Sequence, residues 1–197
     1  MNETIPQGFE AYFSSKKISA QRENLKVLCY SLKQLEGRDL SDLELLRARA
    51  LKNYEEKHQI KLPASSLSLE LSSLPPGLTP ADKLLMKAYD EQDDLVAYAQ
   101  VICSWPEEKT WTIDQLLLDP DKAHQGLGSK LINIIENLAR TAEVGVTSII
   151  STPSRPKSES FWKAIGYKEL DKDQAQKVPL STAERSEPAV LSLRKEL

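Results

Sequence analysis

The chain has 197 residues, a formal net charge of −3, 40% hydrophobic and 28% charged residues, which is the composition of an ordinary globular protein. Its apolar runs are only a few residues long, far short of the roughly 20 residues that cross a bilayer. Its charge is too balanced to attract a polyanion by field alone. We therefore expect neither a membrane nor a nucleic acid as a partner.

The cysteines and the start of the chain bear on its location. Cys29 and Cys103 are its two cysteines, and both lie in apolar-patterned segments. This placement predicts reduced core residues rather than a disulfide or a metal site. The sequence does not open with a basic region followed by an apolar one, as a secretion signal does. We expect a cytoplasmic protein that binds no metal.

Two helices are predicted within an N-terminal helical segment, residues 1–66. Leucines recur at helical spacing in the first helix, at Leu25, Leu28, Leu32 and Leu35. The second helix begins at Ser41, because Glu44 three residues later completes a capping-box pattern. Its apolar stripe continues to Tyr54. The pattern predicts an antiparallel helical pair ahead of a core domain over residues 67–197.

Strand patterns begin after this segment. Residues 67–71 alternate leucine with polar residues, which is typical of a half-buried strand. Three more strands, separated by short polar turns, are predicted at residues 83–89, 95–104 and 111–118. Consecutive strands with short connections form an antiparallel meander.

A helix and a further strand follow the meander. The helix buries an apolar face from Leu127 to Leu138, and the β-branched residues of 146–151 favour a strand. A strand, a crossover helix and another strand make a parallel step, so the predicted fold class is α+β, with a central mixed, mostly antiparallel sheet flanked by helices. Weaker patterns suggest a short helix at 158–165, strands at 167–170 and 189–193, and a long loop at 171–188.

The loop before the predicted long helix carries the chemistry. Gly126 and Gly128 lack the Cβ atoms that would block an anion, and unpaired N–H groups with the helix dipole attract one there. A pyrophosphate fits such a cradle. Lys122, His124 and Lys130 add positive charge nearby. The two glycines alone are equally typical of a helix start that holds no ligand.

Two other phosphate-binding motifs do not fit this loop. A P-loop requires a glycine at position 123, where the chain has Ala123. A dinucleotide fingerprint requires a third glycine at position 131, where the chain has Leu131. Both classes of nucleotide site are therefore excluded.

The wider arrangement resembles the GNAT acyltransferase superfamily, whose signature is Gln/Arg-x-x-Gly-x-Gly/Ala between a strand and a long helix. Gly126-Leu127-Gly128 match the signature, and Leu118-x-Pro120 matches its lead-in. Downstream, Ser-Phe-Trp-Lys-Ala-Ile-Gly-Tyr at 160–167 resembles the family's Ala-Phe-Tyr/Trp-x-Lys-x-Gly-Phe block. The resemblance extends over residues 83–170. One departure is Ala123, which stands where the family has Gln or Arg.

The resemblance implies an N-acetyltransferase that binds acetyl-CoA (coenzyme A) in a splay between strands 111–118 and 146–151. The acyl group would pass by direct attack to a primary amine of a small molecule or peptide. A backbone N–H near Leu117 would stabilise the oxyanion. The implied cofactor-binding residues are Leu116, Leu117, Leu118, Ala123, His124, Gln125, Gly126, Leu127, Gly128, Ser129, Lys130 and Trp162.

The resemblance leaves the proton-transfer groups open. Asp114 is the best candidate for the general base and Glu70 a remoter one, although Asp114 also fits a solvated strand face. Trp162 stands where the family has a tyrosine that protonates the thiolate, which leaves Tyr98 and Tyr167 as other candidates beside ordinary core roles.

The role of the N-terminal helices and the activity itself also have alternatives. In the family, helices before the meander shape the acceptor pocket, and here they would do so or mediate a homodimer. Because Ala123 and Trp162 depart from the family pattern, a catalytically silent acyl-CoA-binding or interaction module with the same fold stands as the alternative function.

Overall fold

The computed structural model describes residues 25–35, 40–62, 66–142, 145–151, 158–170 and 192–197. Its strands are β1 Lys26–Ser31, β2 Lys83–Tyr89, β3 Leu95–Ile102, β4 Thr110–Leu118, β5 Ser148–Ser151, β6 Lys168–Glu169 and β7 Leu193–Glu196. In these ranges they form one sheet in the order β1-β2-β3-β4-β5-β7-β6. Every pairing is antiparallel except that of β4 with β5, which is parallel.

Helices cover both faces of the sheet. They are α1 Ser41–His58, α2 Leu67–Ser72, α3 Leu127–Thr141 and α4 Glu159–Ala164. Successive residues of β2 show how the faces divide, as expected for the alternation along a strand: Leu84 and Met86 pack with α3, and Leu85 packs with α1 and α2. The predicted fold class is confirmed.

The prediction that the N-terminal pair begins with a helix is wrong. Residues 26–31 form β1, which pairs with β2 along its full length, and only Leu32–Leu35 make a 3-10 turn. Val27 is fully buried against the sheet core. The leucine spacing fits a helix, but the buried edge of β2 needs hydrogen-bond partners, and the Val-Leu-Cys-Tyr run suits a pleated surface.

The strand predicted at 67–71 is also wrong, because these residues lie in α2. The Ser66 side chain accepts a hydrogen bond from the Leu69 N–H at 3.1 Å and so caps the helix. Leu67 and Leu71, four residues apart, are buried, while Leu69 is 56% exposed. The apolar alternation is therefore coincidental, and the signal that decides is the serine cap with an i, i+4 leucine pair.

The remaining predicted elements are largely confirmed. The meander, the crossover helix, the parallel step and the short helix after it all appear as β2–β3–β4, α3, β5 and α4. α1 begins at Ser41, but its N-cap is Leu40 and no side chain caps it. β7 begins at Leu193, the end of the predicted 189–193 strand. Residues 171–191 lie outside the described part, and the domain division at residue 66 stays a prediction.

The cysteines are free, as predicted. Burial raises the pKa of Cys29 to about 12 and the pKa of Cys103 well above its usual value. Both thiols are therefore protonated at neutral pH and poor nucleophiles. Across the described ranges, no helix combines the length and apolar composition of a membrane span.

A pair of alanine substitutions distinguishes the helix at 67–72 from a strand. Leu71→Ala removes a buried side chain and is expected to lower the free energy of unfolding by about 2–5 kcal/mol. Leu69→Ala removes an exposed one, so its expected effect is within about 0.5 kcal/mol. Urea denaturation of both variants measures the difference. Equal costs would indicate that both leucines share one buried face, as in a strand.

Candidate functional site

β4 separates from β5 halfway along its length. Among the described residues, the parallel pairing ends at Ile113 with Ser151, while β4 remains paired with β3 as far as Leu118. The register with β3 shifts so that Asp114 is an extra residue in β4. Such a β-bulge bends its strand and disrupts the ladder locally. The sheet therefore opens beyond Asp114, as the predicted change of pairing requires.

The opened sheet forms one wall of a cavity of about 560 Å³, a size typical of small-molecule sites. The loop before α3 and the first turn of α3 form a second wall, and α4 contributes Phe161 and Trp162. α1 forms the opposite wall, so it lies where helices were expected to shape a pocket. The residues of α1 that line the cavity are Ala50, Asn53, Tyr54, Lys57 and His58.

The start of α3 has the geometry of an anion cradle. Its N-cap is Gly126, whose φ of 75° lies in the left-handed region, and no side chain caps the helix. The first N–H groups of a helix lack intrahelical partners, and here they belong to Leu127, Gly128 and Ser129, which line the cavity. The dipole of this 15-residue helix adds partial positive charge at the same point.

The two glycines of the cradle are needed for different reasons. A Cβ at Gly126 would meet nothing within 4 Å, so glycine serves the positive φ there. A Cβ at Gly128 would lie 3.1 Å from Cζ of Phe161 and 3.3 Å from Cδ1 of Leu118. Gly128 therefore lets α3 approach α4 and β4 closely.

Ion pairs fasten the loop before the cradle to α1. The Arg49 guanidinium donates to Oδ1 of Asp119 at 3.0 Å and to Oδ2 of Asp121 at 2.6 Å. Asp119 Oδ1 also accepts the Asp121 N–H at 2.9 Å. Because Asp119 follows β4 directly, these contacts hold the α1 wall against the loop that leads into the cradle.

Most of the predicted site residues meet in this cavity. Those that line it are Asp114, Leu116, Leu118, Ala123, His124, Gly126, Leu127, Gly128, Ser129 and Trp162. Gln125 and Lys130 are not among the lining residues. Neither is Leu117, whose side chain is fully buried on the other face of the sheet, against α1 and α2.

The backbone of β4 presents alternate residues to the opening. The Asp119 N–H donates to the Val96 carbonyl of β3 at 2.8 Å. Hydrogen-bonding direction alternates along an antiparallel strand, so the Leu117 N–H also faces β3. The donors that face the opened edge are therefore those of Leu116 and Leu118, one residue to either side of the position predicted for an oxyanion donor.

Asp114 is held at the bulge by a buried lysine. Its Oδ2 accepts a hydrogen bond from Nζ of Lys83 at 2.8 Å, and the Lys83 side chain is fully buried. Nζ of Lys83 also donates to the carbonyl oxygens of Glu70 at 2.8 Å and Ser73 at 3.2 Å, so all three ammonium protons have acceptors. The lysine thereby links α2 to the carboxylate that faces the cavity.

Glu70, the remoter candidate for the general base, binds other residues than Asp114 does. Its carboxylate binds the Arg47 guanidinium through both oxygens and accepts from Nε2 of Gln115 at 3.0 Å. Gln115 lines the cavity, and its Oε1 accepts from Tyr98 and Gln100. Glu70 therefore orients Gln115 from behind the cavity wall. Sequence reasoning missed Gln115 and Lys83, because each is a lone polar strand residue whose partners are distant in sequence.

The tyrosines named as proton donors lie away from the cavity wall. Tyr98 is fully buried and bonded to Gln115. Tyr167 is buried beneath Trp162, with ring centroids 5.0 Å apart, and burial followed by the charge of Glu136 raises its pKa. Among the described lining residues the phenol is that of Tyr54 on α1.

Comparison with known families identifies the class of protein. Residues 44–167 match the model of the acetyltransferase (GNAT) family, which is more than half of the chain. The protein therefore belongs to the GNAT acetyltransferase family. Comparison with curated proteins finds no significant match.

Solved structures share the fold at low sequence identity. An acetyltransferase of the GNAT family from Staphylococcus aureus Mu50 matches with a TM-score of 0.60 and 12% identity, over 87% of this chain and 98% of that one. The ribosomal-protein-S18-alanine N-acetyltransferase of Escherichia coli matches with 0.54 and 15%, over 86% and 93%. N-acetylglutamate synthase from Neisseria gonorrhoeae, complexed with coenzyme A and N-acetyl-glutamate, matches with 0.56 and 16%, over 87% and 35%.

The described residues contain no group of three or more His, Cys, Asp or Glu side chains placed to hold a metal ion. The polar groups of the site include the uncapped turn of α3, the Asp114–Lys83 pair, Gln115 and side chains of α1.

A double-mutant cycle tests the Asp114–Lys83 pair. Lys83→Met leaves the Asp114 carboxylate without its partner and is expected to lower the free energy of unfolding by about 3–5 kcal/mol. Adding Asp114→Leu removes that carboxylate, so the double variant is expected to regain part of the loss. Urea denaturation of both single variants and the double variant gives the coupling. Strictly additive costs would contradict the pairing.

Proposed function

We propose that the protein is an acyl-CoA-dependent N-acyltransferase that transfers an acetyl group from acetyl-CoA to a primary amine. The observation that carries this proposal is the continuity of one cavity, which runs from the uncapped first turn of α3 to the bulge at Asp114. A phosphate site and a carboxylate at opposite ends of an opened sheet suit a donor that carries both a pyrophosphate and a reactive thioester.

The donor side of the cavity fits acetyl-CoA in its chemistry. The N–H groups of Leu127, Gly128 and Ser129 would hold the pyrophosphate, and the backbone of Leu116 and Leu118 would hold the pantetheine amides. Phe161 and Trp162 supply apolar surface along the same wall. When bound, acetyl-CoA supplies a thioester carbonyl as the electrophile. The N–H group of Leu116, the one nearer to Asp114 along β4, is our proposed donor for the charge that develops on its oxygen.

The acceptor enters, in this proposal, between α1 and the bulge. A primary amine with a pKa near 10 must lose a proton before it attacks, which costs roughly 4 kcal/mol at pH 7. Asp114 is our proposed acceptor for that proton. Lys83 engages its Oδ2, and no described residue bonds to its Oδ1. Holding amine and thioester together supplies the rest of the acceleration.

A catalytically silent acyl-CoA-binding module is the second candidate. Trp162 lines the cavity but has no phenol to protonate a thiolate, and Lys83 already neutralises Asp114.

Three predictions from the sequence stay predictions: the cytoplasmic location, the absence of membrane and nucleic-acid partners, and the homodimer.

Ligand binding at the cradle is tested with a matched pair of glycine variants. Coenzyme A at about 100 times its Kd is expected to raise the free energy of unfolding by about 2.7 kcal/mol, visible as a thermal shift. Gly126→Glu places a carboxylate at the cradle and is expected to abolish this shift. Gly77→Glu is the control, because Gly77 also has a positive φ and open space around it but lies outside the cavity wall.

The outcomes separate the two candidate functions. Absence of a shift with the unsubstituted protein would refute both, and a shift retained by Gly126→Glu would show that the cradle is misassigned. Binding without thiol release across a panel of amines would favour the silent module.

The role of Asp114 is tested by rate and stability together. Asp114→Asn removes the basic carboxylate and keeps an oxygen that accepts a hydrogen bond from Lys83. If Asp114 is the general base, kcat is expected to fall by about 10²–10⁴-fold with an unchanged Kd for coenzyme A, both measured on the folded protein. An unchanged kcat with a reduced free energy of unfolding would leave Asp114 only its structural role.

A further inference from the structure

Charged side chains on the cavity wall are nearly all neutralised by neighbours. The carboxylate of Asp114 pairs with Lys83 and that of Asp119 pairs with Arg49. Of the two lysines on the described wall, Lys122 lies 3.2 Å from Asp90 in an ion pair. The other is Lys57, and no carboxylate of the described residues lies within 4.0 Å of its ammonium group. Among the described residues, Lys57 is therefore the lysine of the wall without an ion-pair partner.

Lys57 lies on the face of α1 that is anchored to the loop before the cradle. Arg49, Asn53 and Lys57 recur every four residues, so they share one face of the helix. Arg49 is anchored to the loop before the cradle, through Asp119 and Asp121. Lys57 lies two turns farther along that face, about 12 Å by helix rise, where α1 faces the cavity.

The cradle itself contributes backbone donors but little side-chain charge. Ala123 lines the cavity with a methyl group, and the lysine of the loop, Lys122, is paired. His124 also lines the cavity, whereas Lys130 does not. The first turn of α3 supplies partial charges only, whereas a bound pyrophosphate carries full negative charges. A cation on another wall of the cavity would strengthen the binding of those charges.

We propose that Lys57 binds the pyrophosphate of the acyl donor from α1, opposite the N–H groups of the α3 first turn. This inference rests on the proposed function, and it makes α1 a part of the donor site as well as a wall of the acceptor side. The acyl donor is then clamped between two helices rather than held by the loop alone.

Binding of coenzyme A to the full chain, measured by calorimetry, tests this role without relying on turnover. Lys57 is exposed, so Lys57→Ala is expected to weaken binding roughly two- to fivefold, as for one charge contact at an exposed site. The loss should shrink in high salt, because the contact is screened. Lys52→Ala is the matched control, since Lys52 lies on the same helix, 77% exposed and off the cavity wall. It is expected to change neither the Kd nor its salt dependence.

Truncated ligands identify which group Lys57 contacts. Dephospho-coenzyme A keeps the pyrophosphate, so Lys57→Ala is expected to weaken its binding by the same factor. Pantetheine has no phosphate, so its binding is expected to be unchanged. If the loss vanishes with dephospho-coenzyme A, Lys57 contacts the 3′-phosphate and the proposal is wrong. An unchanged Kd for coenzyme A with a raised KM for the amine would assign Lys57 to the acceptor and also overturn it.

A cation placed on the opposite wall provides a second test. Ala123→Arg supplies a guanidinium beside the cradle, and in the Lys57→Ala background it is expected to recover most of the lost affinity. Equal effects of Lys57→Ala with and without Ala123→Arg would show that the two positions do not share a ligand. Failure of the unsubstituted protein to bind coenzyme A would refute the proposed function, whereas normal binding by Lys57→Ala would refute this inference alone.

Discussion

The backbone hydrogen bonds of β4 are distributed unequally between its two neighbours. Among the described residues, parallel pairing with β5 covers four residue pairs of a nine-residue strand, whereas pairing with β3 reaches its end. The bulge at Asp114 marks the point where the two edges part. The groups that we assign to the donor, to the acceptor and to proton transfer all lie on or beyond that point. If β4 and β5 did not separate there, α1, α3 and α4 would have no common cavity to line.

The parts of the fold that follow from local patterns were predictable. The meander is predicted by its polar turns and strand alternation, and α3 is predicted by its continuous apolar stripe. The predictions for β1 and α2 are wrong because a few leucines fit the spacing of a helix and that of a strand equally well. In each case the decision rests on a partner outside the segment: the edge of β2 for β1, and the second core for Leu67 and Leu71. Short apolar segments carry no information about such partners.

In the site, too, the features that depend on local sequence were predictable and those that depend on distant contacts were not. The cradle was predictable because a helix start, its glycines and its dipole are local features. The Lys83–Asp114 pair and the Gln115 network were not, since each joins residues more than 10 positions apart. Polar residues on buried strands are ambiguous in sequence, because solvent exposure and a distant ionic partner explain them equally well. The contacts of Lys83 show which explanation applies here.

The contact between Gly128 and Phe161 changes how the family signature is understood. Gly128 was predicted to leave room for an anion, yet the atoms nearest to a Cβ at this position belong to the protein's own aromatic ring. The space available at 128 thus depends on the size of residue 161, some thirty positions later in the second block. A smaller residue at 161 would remove two of the three closest contacts at 128 and leave that with Cδ1 of Leu118. The two motifs therefore pack against each other, and a substitution in one is best interpreted with the other in view.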